Sequence, residues 1–134
     1  MKRDMDLVRR LLLLIEEKDN GSGNPIELEG LIGIKEGHFG QDPRVAGHLE
    51  TTNEAGLIDA LVSAEMGGGL EVHPRRLTWE GHDFLDTIRD EGVWSSTKEA
   101  VGKAGGTAAL ETWKATAREV TGQLIGAAIR GMAG

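Results

Sequence analysis

Residues 42–57 read D-P-R-V-A-G-H-L-E-T-T-N-E-A-G-L, a short helix with both ends marked. Asp42 suits the N-cap, where a carboxylate takes up an orphan backbone N–H. Pro43 falls at the first helical position, where a missing donor costs nothing. Gly56 supplies the left-handed residue that ends such a helix, and Leu57 can fold back onto its last turn. By spacing, Val45, Leu49 and the Ala55/Leu57 end face inward, whereas Arg44, Glu50, Thr51 and Asn53 face outward.

Downstream, Ile58, Ala60, Val62 and Ala64 alternate with Asp59, Ser63 and Glu65, the pattern of a strand. Met66-Gly67-Gly68-Gly69 turns the chain back into Leu70–Leu77. Pro74 has no ladder donor, which marks that second strand as an edge or as one that ends early. Thr78 caps a helix over Trp79–Asp90 with Phe84, Leu85 and Ile88 inward. Gly92 interrupts it, Ser95 or Ser96 recaps a short turn through Val101, and Gly105-Gly106 breaks the chain again. From Thr107 a last helix carries Leu110, Trp113, Ala117, Val120, Leu124 and Ala127 in alternating steps of three and four. That is a narrow seam suited to helix pairing.

Upstream, residues 4–18 form the first helix. Val8, Leu11, Leu12 and Ile15 make its stripe, and Met5, Leu7 and Leu14 widen it. Asp19–Pro25 is a cluster of breakers. From Pro25 the period is two: Ile26, Leu28, Gly30, Ile32 and Ile34 share a face opposite Glu27, Glu29 and Lys35. Lys35–Gln41 holds two glycines and is too short for a proper helix. The fold class is therefore α+β, with a two- to three-stranded antiparallel sheet. Residues 1–104 form the domain, and 105–134 form a C-terminal helix for packing or oligomerisation.

With 134 residues and no Cys, the chain is one modest domain without disulfides, thiolate metal ligands or a thiol nucleophile. Asp4 and Asp6 spoil a signal-peptide start, and no apolar run approaches a membrane span, so a cytoplasmic protein is expected. The net charge of −7 opposes a generally nucleic-acid-seeking surface. Its distribution is uneven. Residues 79–94 carry five acids against one Arg, and 95–134 carry five bases against three acids.

The order helix, strand, helix, hairpin, helix is that of a winged-helix domain. His48-Leu49 followed by Glu54-Ala55-Gly56-Leu57-Ile58 resembles the recognition-helix exit of ArsR-like and MarR-like winged-helix proteins. Leu77-Thr78-Trp79-Glu80-Gly81-His82-Asp83-Phe84-Leu85 resembles the segment that leaves the wing in the same proteins. The opening Met1–Leu7, with Leu77–Asp86 and Val93-Trp94, is similar to something narrower. That is a family of small uncharacterised bacterial and phage or prophage proteins, classed as a domain of unknown function. The resemblance covers residues 1 to about 100 and implies a fold but no assigned activity. One departure concerns function: Lys35–Gln41 leaves almost no room for the positioning helix of a DNA-binding winged helix.

The expected function is that of a non-enzymatic winged-helix protein of phage or prophage type acting in regulation or DNA transactions, as a DNA-binding transcriptional regulator would. With double-stranded DNA as partner, the central helix enters the major groove and the hairpin touches backbone or minor groove. The contact residues are then Arg44, Thr51, Thr52 and Asn53 on the helix and Arg75 and Arg76 by the hairpin, by residue type. Against this, residues 42–58 carry one Arg and three acids, Asp42, Glu50 and Glu54. The rival expectation is a protein-interaction or assembly module that keeps the winged-helix core without binding DNA. A homodimer or higher homo-oligomer fits either, with the seam Leu110, Trp113, Ala117, Val120, Leu124 and Ala127 pairing against its copy or against the first helix.

No cofactor, metal or small-molecule ligand is expected. The four His show no ligand spacing, and His48 beside Leu49 reads as a packed ring bonded to a nearby carbonyl. Glu80, His82, Asp83 and Asp86 are explained by the helix dipole. Gly67-Gly68-Gly69 lacks the Lys-Ser/Thr of a phosphate loop, and no nucleophile elbow is present, so the protein is not expected to be an enzyme.

Overall fold

A computed structural model of the chain describes residues 1–28, 42–64, 69–103 and 109–133. These residues form α1 (Met5–Lys18), α2 (Pro43–Glu54), β1 (Ile58–Ala64), β2 (Leu70–Leu77), α3 (Trp79–Ile88), α4 (Glu91–Lys103) and α5 (Leu110–Ala133). The class is α+β, with a two-stranded antiparallel sheet among the described residues. The chain divides into two compact units, Met1–His82 and Asp83–Gly134.

In the first unit, α1 begins at Asp4, whose Oδ1 accepts the N–H groups of Asp6 and Leu7 at 3.0 and 3.2 Å. Leu7, Val8, Leu11, Leu12 and Ile15 are buried, as the stripe required. Each such side chain contributes about 1.5–3 kcal/mol on burial, so this face fixes α1 in the core.

The caps of α2 are those its sequence announced. Asp42 Oδ1 accepts the Arg44 N–H at 2.8 Å. At the other end Gly56 takes φ +77°, Gly56 N–H donates to Asn53 O, and Leu57 N–H donates to Thr52 O. Those two bonds form a Schellman cap, in which a left-handed residue lets the chain fold back onto the last turn.

The hairpin pairs Ile58 with Leu77 at its base and Ala64 with Leu70 at its far end. Residues 65–68, where most of the glycine turn was expected, lie outside the described residues. Pro74 neither ends β2 nor lies in a regular ladder. Asp59 pairs with Arg76 and Ala60 with Pro74, so Arg75 is the extra residue of a β-bulge. The bulge accommodates a residue with no N–H to give. Pro74 O in turn accepts the Ile26 N–H at 2.7 Å. Ile26 and Leu28 are buried around an exposed Glu27, so the start of the expected upstream strand keeps its alternation. Glu29 to Lys35 and the short segment Lys35–Gln41 lie outside the described residues.

The entry to α3 is fastened to the exit of α2. Thr78 N–H donates to Leu57 O at 3.0 Å. The Thr78 hydroxyl donates to Gly56 O, while its oxygen accepts the Gly81 N–H at 3.0 Å. A Cβ at position 81 would lie 1.9 Å from Leu57 O, so only glycine fits there. Phe84, Leu85 and Ile88 are buried as expected.

In the second unit the sequence reading needs correction. Gly92 does not interrupt a helix: α4 starts at Glu91 and runs 13 residues, not a short turn. Its cap is Asp90, whose carboxylate accepts the Val93 N–H at 2.9 Å, which places Gly92 in the first turn where its low propensity matters little. Trp94 of α4 stacks on Trp113 of α5, ring centroids 5.2 Å apart. Further along, Ser96, Glu99, Ala100 and Lys103 line one groove with Val120, Gln123 and Leu124. Early residues thus meet early ones and late meet late, so α4 and α5 run in the same direction.

Candidate functional site

The surface to test is the outward side of α2 with the base of the hairpin. Arg44 lies one residue inside the α2 start, and its guanidinium donates to Asp4 Oδ2 at the cap of α1. Below it, His48 is fully buried. Its Nδ1 bonds Arg44 O at 2.7 Å, and its Nε2 accepts the Asp4 backbone N–H at 2.9 Å. Since Nε2 accepts an N–H, the ring proton belongs on Nδ1. His48 is thus the packed, carbonyl-bonded residue its neighbours suggested, with a second bond that ties α2 to α1.

The three polar residues on the last turns of α2 are partly consumed by the fold. Thr51 and Thr52 both donate to His48 O, at 3.1 and 2.5 Å. Thr52 is only 3% exposed, which corrects its place among surface contact residues. Facing inward, it packs into the core on the side of His48 and Leu49. Asn53 is half-buried, and its Oδ1 accepts the Ala60 N–H at 3.1 Å, beside the bulge.

Arg75 and Arg76 converge on one carboxylate. Arg75 Nη2 is 3.8 Å and Arg76 Nε 3.6 Å from Asp59 Oδ2. The bulge causes this, because the extra residue brings two consecutive side chains toward the same partner. Arg75 Nε is shielded from solvent with no hydrogen-bond partner among the described residues.

With Thr51 and Thr52 bonded to the α2 backbone, the structure separates the other four residues. Asn53, Arg75 and Arg76 gather round the bulge, whereas Arg44 lies at the far end of α2, about 13 Å away along the helix at 1.5 Å per residue. Sequence reasoning missed the acids that close the site, Asp4 and Asp59. Asp4 had a signal, since an acid just before an apolar-periodic run is an N-cap. Asp59 had none, because a bulge leaves no mark in hydrophobic alternation.

The seam of α5 is divided as well. Trp113 and Ala117 are buried, Leu110 and Val120 half-buried, and Leu124 and Ala127 exposed. Among the described residues, no group of three or more His, Cys, Asp or Glu is placed to hold a metal ion. None of their helices is long and apolar enough to cross a membrane.

These features define a small α+β protein built on a capped helix between an N-terminal helix and a bulged hairpin. The chain belongs to the family of hypothetical proteins DUF2513, whose pattern matches residues 2–107. It is also similar to an uncharacterized protein of Haemophilus influenzae. The two are 30% identical over 125 residues, which cover 93% of this chain and 99% of that one. No solved structure matches the chain significantly.

Proposed function

We propose that the first unit is a winged-helix core, of phage or prophage type, that serves as a non-enzymatic protein-interaction module and does not read DNA. One observation carries this choice. The cations that a DNA reader would aim at phosphate are closed onto carboxylates of the same chain, Arg44 onto Asp4 and both Arg75 and Arg76 onto Asp59. Phosphate binding gains from releasing counterions around the nucleic acid and is weakened where carboxylates already sit against the cations; here two carboxylates, Asp4 and Asp59, offset two of the three Arg charges. The acids Asp42, Glu50 and Glu54 on the same helix reinforce the point.

Duplex DNA is the second reading, favoured by the exposure of two of these pairs. The Arg44 and Arg76 side chains are 59% and 60% exposed, and ion pairs of that kind are worth about 0–1 kcal/mol. Phosphate could compete for them. Fluorescence polarisation on random duplex across a salt series decides. The interaction module gives no binding at low salt. Binding that weakens steeply with salt and vanishes in Arg44→Ala/Arg75→Ala/Arg76→Ala assigns DNA reading instead.

A further inference from the structure

We infer that α5 pairs antiparallel with α5 of a second copy, through a seam on the side turned away from α4. The contact belongs to the second unit and stands independently of the function proposed for the first. Apart from Met1, the exposed large apolar side chains among the described residues are Leu61, Val62, Trp79, Leu124, Ile125 and Ile129. Trp79, 83% exposed, stands alone on its helix, whereas α5 carries three of them.

The seam expected from Leu110 to Ala127 is spent at its start, where Trp113 stacks on Trp94 and Ala117 is buried. A second seam with the same alternating steps runs through Ala115, Arg118, Gly122, Ile125 and Ile129. It lies roughly 140° around the helix from Trp113 and Ala117, at 3.6 residues per turn. All five of its residues are exposed.

Its order is self-complementary. An antiparallel pair centred between Gly122 and Ile125 sets Gly122 of each copy opposite Ile125 of the other, and Arg118 opposite Ile129. Small then faces large, as interdigitating layers require. Nothing in its own chain comes within 4 Å of where a Gly122 Cβ would stand, so the space there is open to Ile125 of the second copy. The Arg118 stem covers Ile129 while its guanidinium stays in water. A parallel pair would stack Arg118 on Arg118 and Gly122 on Gly122, a repulsion and a void.

The charges select the same register, and they are not already paired. Glu119 and Arg130 make no ion pair among the described residues. They share one flank of the seam but stand about 16 Å apart along their own helix, at 1.5 Å per residue, so they cannot meet within one chain. In the antiparallel pair Glu119 comes level with Ala128 of the second copy, between Gly126 and Arg130. The Arg130 guanidinium already lies back over Gly126, with Nη1 3.6 Å from where a Cβ would stand. Two symmetry-related Glu119–Arg130 pairs result, and they fix orientation more than they add affinity. The copies overlap over residues 114–133, about 30 Å of helix. That is the size at which specific interfaces begin, on the order of 1,000 Å² in total, so the dimer is a weak one. The same patch is used on both copies, so the contact closes as a pair.

Sedimentation velocity on the full chain, from about 0.01 to 1 mM, tests this. The wild type rises in mass to a dimer and no further. Ile125→Asp, at an exposed position, stays monomeric with unchanged circular dichroism. Glu119→Arg weakens the dimer about tenfold, and adding Arg130→Glu in the same chain restores it. The chain has no Cys, so introduced thiols report the register. Under oxidised glutathione, Arg118→Cys and Ile129→Cys cross-link when mixed. Neither cross-links alone, because each lies about 16 Å from its own counterpart in the antiparallel pair. The pairing is overturned if the wild type stays monomeric or grows beyond a dimer, if Ile125→Asp dimerises like the wild type, or if Arg118→Cys cross-links to itself. A chain that stays monomeric but binds phosphatidylcholine–phosphatidylglycerol vesicles, and loses that binding in Ile125→Asp, gives the face to a lipid surface and overturns the pairing as well.

Discussion

His48 Nε2 accepts the backbone N–H of Asp4 at 2.9 Å, a bond between residues 44 apart in sequence that fastens the start of α1 to the middle of α2. The same Asp4 caps α1 through its carboxylate and receives Arg44, so one residue links the two helices by backbone and side chain together. The two links differ in worth because one ends on a fully buried ring and the other is exposed. His48→Ala leaves the part-buried Asp4 N–H without its acceptor and opens a cavity, and is expected to cost about 3 kcal/mol. Arg44→Ala breaks an exposed pair and is expected to cost about 1 kcal/mol or less. Urea denaturation midpoints of the two variants check the ranking.

Gly81 and Gly56 are glycines for different reasons, and alanine at each separates them. At 81 the new methyl meets the Leu57 carbonyl, so α3 must shift, at an expected cost of about 3 kcal/mol. At 56 the methyl meets nothing, but φ is +77°, which costs about 1–2 kcal/mol. Thermal unfolding of Gly81→Ala and Gly56→Ala should reproduce that order.

Asn53 is needed as an acceptor. Asn53→Ala leaves the Ala60 N–H without its partner beside the bulge and is expected to cost about 1–2 kcal/mol. Asn53→Asp keeps the acceptor and should recover most of that loss. Amide exchange at Ala60, measured by NMR, should quicken in the first variant and not in the second.

Trp94 and Trp113 carry the second unit. Either one changed to Ala is expected to cost about 3–5 kcal/mol, with the double variant less destabilised than the sum because the stack is lost once. Trp79→Phe should leave stability within about 0.5 kcal/mol. In dilute solution it should also remove the fraction of tryptophan fluorescence that acrylamide quenches fastest.

Much of the first unit was legible because its signals are local. Asp42-Pro43 and Gly56-Leu57 fix both ends of α2, and the apolar stripe of α1 is buried as spaced. What escaped depends on tertiary partners. Thr52 passes for a surface threonine until its hydroxyl is seen bonded inside to His48 O. Arg75 and Arg76 look like free cations until the bulge turns both toward Asp59. Gly92 reads as a breaker because propensity alone places it mid-helix, while the Asp90 cap moves it to the first turn, where glycine is tolerated. The common direction of α4 and α5 has no periodic signature at all.

The Leu57 carbonyl, shared between the Thr78 amide and the space above Gly81, welds two sequence segments some twenty residues apart into a single joint. Neither segment can change its path without the other. Relatives should therefore inherit residues 56–58 and 77–81 as one block, while the hairpin that separates them is left to lengthen, shorten or change its tip.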